Sequence, residues 1–174
     1  FSTYPLVAHR GDEPARRAGR IYLAILVGAS VTLLLPAIIA VQAFAGSTDF
    51  VPGGLLAGKV NLEVGGILLA LIVFGTAKAA LMPVHSWLPT AMVAPAPVSA
   101  LLHAVAVVKA GVFTIMKVSA FTFGPGLIGD MPASEWLLWL AAATIVISSL
   151  VAMRQDDLKA RLAWSTIGQL AFIT

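Results

Sequence analysis

The sequence VGGILLALIVFGTAKAALMP, residues 64–83, decides what kind of fold this chain adopts. No charged residue precedes Lys78 in this stretch, and Pro83 follows five residues after it. A lysine at bilayer depth costs roughly 2.5–3.5 kcal/mol on insertion scales and in that setting usually handles ions or protons. Because Pro83 lacks an amide donor and its ring clashes with the preceding turn, the helix is predicted to break or kink there. The stretch therefore predicts a membrane helix interrupted close to a lysine.

The composition of the 174 residues favours lipid over water as the solvent. Hydrophobic residues make up 59% and charged residues 11%, and the mean hydropathy is +0.95. A soluble domain carries roughly 25% charged residues, so that class is excluded. The sequence has no cysteine, which removes disulfides, thiolate metal sites and cysteine-held iron–sulfur clusters. It also has no dinucleotide-binding fingerprint, and we expect no cofactor in this chain.

Apolar stretches divide the chain into five predicted membrane helices within a single transmembrane domain. About 20 apolar residues suffice to cross a hydrocarbon core roughly 30 Å thick. Prolines at 89, 95 and 97 rule out one straight helix after Pro83, so the second helix is expected to continue as a short half-helix to about residue 92. Irregular backbone at that depth needs protein or a wet cavity around it. The predicted helices cover residues 21–45, 62–82, 98–118, 136–153 and 160–174.

The distribution of basic residues predicts how the chain is oriented in the membrane. Seven of the eleven lysines and arginines lie in residues 10–20 and 154–161, whereas residues 119–135 contain none. Three predicted crossings lie between residues 20 and 119, and a fourth follows before the second basic loop, so both basic loops fall on one side. The positive-inside rule then predicts that both are cytoplasmic.

Lys78, His103 and Lys109 lie inside predicted helices, away from the charged residues at the helix ends, and are the candidates for proton translocation. Loss of water favours the neutral form of a lysine, and a nearby carboxylate favours the charged form, so moving that carboxylate can make the lysine bind or release a proton. His103 titrates near neutrality and can pass a proton between its ring nitrogens. His103 and Lys109 lie about 120° apart around a regular helix, so they do not face the same wall, although both can border one internal water path.

Each candidate also has a purely structural interpretation. Lys78 alternatively forms an ion pair inside the bundle, and Lys109 alternatively donates to helix carbonyls. A histidine near a helix start, such as His103, can be satisfied by a backbone oxygen. His85 is a weaker candidate, because its place after the break and next to Trp87 also suits an interfacial residue or a cap.

Residues 78–113, KAALMPVHSWLPTAMVAPAPVSALLHAVAVVKAGVF, resemble a known family. They are similar to the core signature of the antiporter-like membrane subunits shared by respiratory complex I (NADH:quinone oxidoreductase), the Mrp-type cation/proton antiporters and membrane-bound hydrogenases. The later QDDLKARLAWSTIGQL, residues 155–170, resembles that family's next cytoplasmic turn and helix, so the likeness covers residues 62–174. With a lysine at 109, residues 96–113 look most like the D-type component of the Mrp antiporters and its relatives.

The resemblance implies an all-α, polytopic transmembrane helix bundle of roughly fourteen helices, with two inverted five-helix repeats and one interrupted helix in each. The chain is expected to be an internal fragment of that fold. Lys78 matches the family's lysine on the interrupted helix, Pro83 sits at the interruption, and His103 and Lys109 match the relay on the next helix. The family's glutamate partner and its later lysine or glutamate would fall outside residues 1–174.

The function implied is that of a proton-translocating subunit, either of a cation/proton antiporter, with sodium as a candidate second ion, or of a complex I-like oxidoreductase. Membership of an enzyme is left open, because redox chemistry would lie in other subunits. The expected partners are other membrane subunits and the lipid bilayer, with no nucleic acid, and the expected location is the bacterial inner membrane. The alternative is a passive helix bundle, in which Lys78 and Lys109 tolerate neutral substitution.

Overall fold

The computed structural model describes residues 4–9, 11–102 and 107–173, and every regular element in these ranges is a helix. Two helical segments are long and apolar enough to cross a membrane, Glu13–Ala45 and Pro132–Met153, and Leu62–Gly75 is a shorter apolar helix. The fold class predicted from the sequence, an all-α transmembrane bundle, is confirmed. The helices are α1 Tyr4–Val7, α2 Glu13–Ala29, α3 Leu35–Ala45, α4 Leu62–Gly75, α5 Trp87–Thr90, α6 Ala96–Ala100, α7 Val107–Val118, α8 Pro125–Asp130, α9 Pro132–Met153 and α10 Leu158–Ile173.

The first long helix begins earlier than the sequence predicts. It starts at Glu13 rather than at residue 21, because Asp12 caps it: the Asp12 carboxylate accepts a hydrogen bond of 3.2 Å from the amide of Ala15. Most of the Arg-rich segment predicted as a loop is therefore helical. A π-helical turn, Ser30–Leu34, joins α2 to α3, and Gly46 ends α3 with a left-handed φ of 77°.

The second predicted helix, 62–82, ends at Gly75. An interruption near Pro83 is present as predicted, but it begins at Thr76, and Lys78 lies on a 3₁₀ turn, Ala77–Ala79, outside the helix. Two further 3₁₀ turns, Val84–Ser86 and Ala91–Val93, flank α5. We call residues 76–95 the interrupted segment.

The loop predicted over residues 119–135 is largely helical. A π-helical turn, Ser119–Phe123, continues α7, and α8 and α9 each begin with a proline. Proline is favoured at the first helical position, because the amide it lacks has no helical partner there. The prolines taken as loop residues therefore start helices.

Side-chain contacts define the two ends of the bundle. At one end, Tyr22 packs edge-on against Trp87, with ring centroids 5.5 Å apart, and Lys159 Nζ donates to the Ala94 carbonyl at 3.2 Å. At the other end, the amide of Leu55 donates to the Phe121 carbonyl at 3.0 Å. The basic starts of α2 and α10 thus share one end, as the sequence predicts, and the loop without basic residues lies at the other. Which compartment each end faces stays a prediction.

Candidate functional site at the helix interruption

The interruption is a hydrogen-bonded turn. The amide of Thr76 still donates to Ile72 at 2.8 Å, but Thr76 itself leaves the helix with φ −84° and ψ 54°. The amides of Ala79 and Ala80 then donate to Thr76 and Ala77, each at 3.0 Å. Ala80 adopts the left-handed region with φ 55°, a conformation that costs roughly 1–2 kcal/mol outside glycine. The surrounding packing must stabilise this turn.

Trp87 supplies much of that packing. Its side chain is fully buried, and its indole Nε1 donates to the Ala77 carbonyl at 2.9 Å. A buried carbonyl without a donor is costly in a bilayer, where water cannot replace the missing partner. Trp87 therefore fixes the turn on which Lys78 lies.

Two glycines allow the backbone of the interruption to lie against its neighbours. A Cβ atom on Gly111 of α7 would stand 2.5 Å from the Ala79 nitrogen and 2.7 Å from the Lys78 carbonyl carbon. A Cβ atom on Gly75 would stand 2.5 Å from the Leu34 nitrogen in the π-helical turn. Real Cβ atoms do not approach backbone so closely, so only glycine fits at either position. The interruption is held between α7 and the first long helix.

Lys78 points away from this packing. The sequence predicts a lysine in the interior, but Lys78 is exposed on the surface of the described chain, while Ala77 and Ala79 on either side are buried. Because these two alanines occupy the buried side of the 3₁₀ turn, the side chain of Lys78 points outward. Within the described ranges Lys78 forms no ion pair, and no side chain there hydrogen-bonds to its ammonium.

The other predicted relay residues are not gathered around Lys78 by any described contact. Lys109 is exposed on α7, whose buried face is formed by Val108, Gly111, Val112 and Ile115. Because two residues correspond to 200° around a helix, Lys109 lies on the side opposite Gly111 and the interruption. His103 lies outside the described residues.

His85 contacts a residue far away in the sequence. Its ring is tilted against that of Trp164 on α10, with centroids 5.3 Å apart and an interplanar angle of 55°. Its Nδ1 atom is buried. The predicted alternatives, an interfacial residue or a cap, did not anticipate this contact, because nothing in the sequence links residues 85 and 164.

Lys159 also joins α10 to the interrupted segment. The Ala94 carbonyl accepts from both Lys159 Nζ, at 3.2 Å, and the buried Ser99 hydroxyl, at 3.1 Å. From the sequence, the charged turn before α10 is interpreted only as a boundary between helices. Lys159, in the first turn of α10, makes a specific contact that sequence reasoning missed, because its partner is a backbone oxygen 65 residues away.

We expect replacement of Lys159 with methionine to lower the stability of the full-length protein by about 1–2 kcal/mol. A hydrogen bond from a charged donor contributes roughly 1.5–3 kcal/mol to stability. Lys159 is only partly buried, so solvent screening reduces that contribution. Thermal unfolding in detergent would measure the change, with the exposed Arg161→Met as a control. An unchanged midpoint for Lys159→Met would show that this contact contributes nothing.

Comparison with known proteins identifies the family. The family model described as "NADH:quinone oxidoreductase/Mrp antiporter, TM" matches residues 1–174. NADH-ubiquinone oxidoreductase chain 5 of Neurospora crassa is 36% identical over 129 residues, which cover 74% of this chain and 17% of that protein. A probable K(+)/H(+) antiporter component of Rhizobium meliloti is 42% identical over 116 residues, which cover 66% of this chain and 11% of that protein.

A solved structure shows the same fold. One chain of the Mrp complex from Dietzia sp. DQ12-45-1b matches 98% of this chain with a TM-score of 0.78 at 28% sequence identity, over 18% of its own length. These three relatives are thus at least five times longer than the segment they share with this chain. The predicted resemblance is confirmed, and the chain belongs to the membrane-subunit family shared by NADH:quinone oxidoreductase and the Mrp antiporters.

Proposed function

We propose that this chain forms part of a membrane protein that translocates protons, and that Lys78 binds and releases the transported proton. The observation that carries the proposal is an exposed ammonium group with no partner among the described residues, held on a helix interruption. Interrupted helices at the midplane are a common way to build ion sites in transporters.

The depth of the interruption supports this proposal. Gly111, which lies against the backbone of Lys78, is 12 residues before the end of the helical region at Phe123, a rise of about 18 Å. On the other side of the interruption, Gly75 packs against Leu34 of the first long helix. Leu34 lies one residue from the centre of the charge-free stretch 21–45. Both measures support a position for Lys78 away from the ends of a hydrocarbon core roughly 30 Å thick.

A charge at that depth has to face something other than lipid. The penalty of roughly 2.5–3.5 kcal/mol for a lysine at the centre of a membrane helix falls when the side chain faces protein or water. Because this chain corresponds to only 17% of its Neurospora relative, other helices of a full-length protein are available to cover the exposed face. A carboxylate on one of them would favour the charged lysine, and its withdrawal would favour release of the proton.

Lys109 and His103 have secondary roles in the proposal. Lys109 would pass the proton along the face of α7 that the described helices leave exposed, and His103 would connect it to Lys78. His85, beside Trp164, would stand near the basic end of the path. Other membrane subunits would complete the assembly. A bacterial inner membrane and a second ion such as sodium belong to the same proposal.

We expect replacement of Lys78 with methionine to reduce proton transport by the full-length protein roughly 10²-fold or more, because a positioned proton-transfer group typically contributes that much. Lys78→Arg is expected to be equally inactive, because arginine keeps its proton in proteins. Proton flux into proteoliposomes containing the assembled complex measures both. Lys59→Met is the control, since Lys59 is an exposed lysine that only donates to the Ala45 carbonyl.

The arginine variant separates the proposal from its alternatives. Normal transport with Lys78→Arg but not with Lys78→Met would assign Lys78 to a structural ion pair, for which a permanent charge suffices. Normal transport with both variants would favour a passive helix bundle. Running the assay once with an imposed ion gradient and once with a reductant would identify the antiporter or the oxidoreductase as the parent complex.

A further inference from the structure

A groove runs along the outer side of the contact between α9 and α10. The helices touch closely at its floor, because a Cβ atom on Gly168 would stand 2.8 Å from the Ser148 hydroxyl oxygen. The groove encloses about 410 Å³ and continues into a mostly apolar cavity of about 400 Å³, with which it shares Ile145 and Phe172. The α9 wall of the two together reaches from residue 138 to residue 152, a rise of about 21 Å, so it is long enough to hold much of a membrane helix.

The residues that line the groove recur at helical spacing, so each helix contributes one continuous face. Most of them are small, and small residues let the backbones of neighbouring membrane helices approach closely. Besides Phe172, they are Ile145, Ser149 and Ala152 on α9 and Ser165, Gly168 and Gln169 on α10. The groove thus has the length and the lining that suit a third helix.

Gln169 lines this groove with a carboxamide. It lies eight residues after Arg161, the last charged residue of α10, which corresponds to about 12 Å along the helix. Gln169 is exposed on the described chain, and the structure describes no hydrogen bond from its side chain to another described residue. Lipid tails offer no hydrogen-bond partner, so a carboxamide that faces them is unfavourable. Because the hydroxyls of Ser149 and Ser165 line the same groove, lipid alone is a poor occupant.

We propose that a further transmembrane helix of the same full-length polypeptide lies in this groove, and that a polar side chain on it hydrogen-bonds to the Gln169 carboxamide. Hydrogen bonds of serine and glutamine side chains are a common contact between membrane helices. The relatives compared above are at least five times longer than the segment that they share with this chain, which leaves room for further helices in a full-length protein. Helices close in sequence are usually also neighbours in space, which favours the same polypeptide over another subunit. This contact does not depend on the role of Lys78.

The direction of the change in stability caused by Gln169→Leu tests the hydrogen bond. Leucine is close to glutamine in size but forms no hydrogen bond, so we expect the thermal unfolding midpoint of the full-length protein to fall by about 1–3 °C. A glutamine that faced lipid would give the opposite change, because leucine is the more favourable of the two in hydrocarbon. Gln155→Leu is the matched control: Gln155 lies in the charged turn between α9 and α10, and its replacement should leave the midpoint nearly unchanged.

A higher or an unchanged midpoint for Gln169→Leu would overturn the hydrogen bond to a further helix. If the leucine variant does not assemble, Gln169→Asn, which keeps the carboxamide, decides the matter. Assembly with asparagine but not with leucine supports the hydrogen bond, and failure of both variants overturns it.

Photocrosslinking identifies the occupant of the groove. Phe172 lines the groove, and 78% of its surface is exposed, so the photoreactive amino acid p-benzoylphenylalanine can replace it with little disturbance. After illumination of the assembled complex in lipid, we expect mass spectrometry to find residue 172 joined to a peptide of the same polypeptide from outside residues 1–174. If the benzoyl group reacts instead with lipid, with another subunit or with residues 1–174 alone, or forms no crosslink, the proposal is wrong.

Discussion

Replacement of Gly111 with valine is expected to abolish assembly of the full-length protein. Even the first added carbon would stand 2.5 Å from the Ala79 nitrogen and 2.7 Å from the Lys78 carbonyl carbon, and backbone atoms cannot yield as a flexible side chain does. Overpacking typically costs 1–3 kcal/mol, and a clash with backbone belongs at or above the top of that range, about 3 kcal/mol. The expected result is little folded protein in the membrane, measured by detergent extraction and size-exclusion chromatography.

Gly126 offers a matched control for this substitution. It lies in α8, is exposed, and has no atom within 4 Å of the position its Cβ would take. Gly126→Val should therefore accumulate like the wild type. Normal folding of Gly111→Val would mean that the close approach of α7 to the interruption is not needed, and the depth assigned to Lys78 would lose its main support.

Replacement of Trp87 with alanine is expected to lower the free energy of unfolding by about 3 kcal/mol. Lipid tails are as apolar as an indole ring, so the loss comes from van der Waals contacts, the cavity left behind, and the hydrogen bond to the Ala77 carbonyl. Trp87→Phe fills most of the cavity and isolates the hydrogen bond, whose loss should account for about 1–3 kcal/mol. Thermal unfolding in detergent provides the measurement.

Trp139 is the control for these variants, because 69% of its surface is exposed on α9. Trp139→Ala should leave the unfolding midpoint nearly unchanged. If Trp87→Phe matched the wild type, the Ala77 carbonyl would have found another donor, and the turn that carries Lys78 would not depend on the indole nitrogen.

Much of the fold could be predicted from the sequence because its main determinants are local. The uncharged stretch 21–45 and the tryptophan-bounded stretch 136–153 identify membrane helices through composition alone, and both lie within helices of the structure. The boundaries were less accurate: the cap at Asp12 and the prolines that begin α8 and α9 extend helices into predicted loops. These capping effects are also local, but the charged residues and prolines in these segments were interpreted as signs of loops rather than of helix starts.

The candidate site was predicted less completely. Lys78 was expected inside the helix, before a break at Pro83, whereas it lies on the 3₁₀ turn of the interruption and points outward. Nothing in the sequence marked Trp87 or Gly111 as residues that pack against this turn. Lys109 was expected to border one internal water path together with His103, which lies outside the described residues. The roles of these residues therefore remain part of the proposal.

The sequence by itself determined that lipid is the solvent, that the chain is a helix bundle, that a helix is interrupted near Pro83, and which family the chain resembles. Transfer free energies add residue by residue, so the preference for lipid and the positions of the membrane helices can be read along the chain. Only the tertiary structure decided that the interruption starts at Thr76, that Lys78 turns outward, and that Lys159 holds Ala94. Each depends on a close approach between residues distant in sequence, such as Gly111 and Lys78, which no local property of either residue encodes.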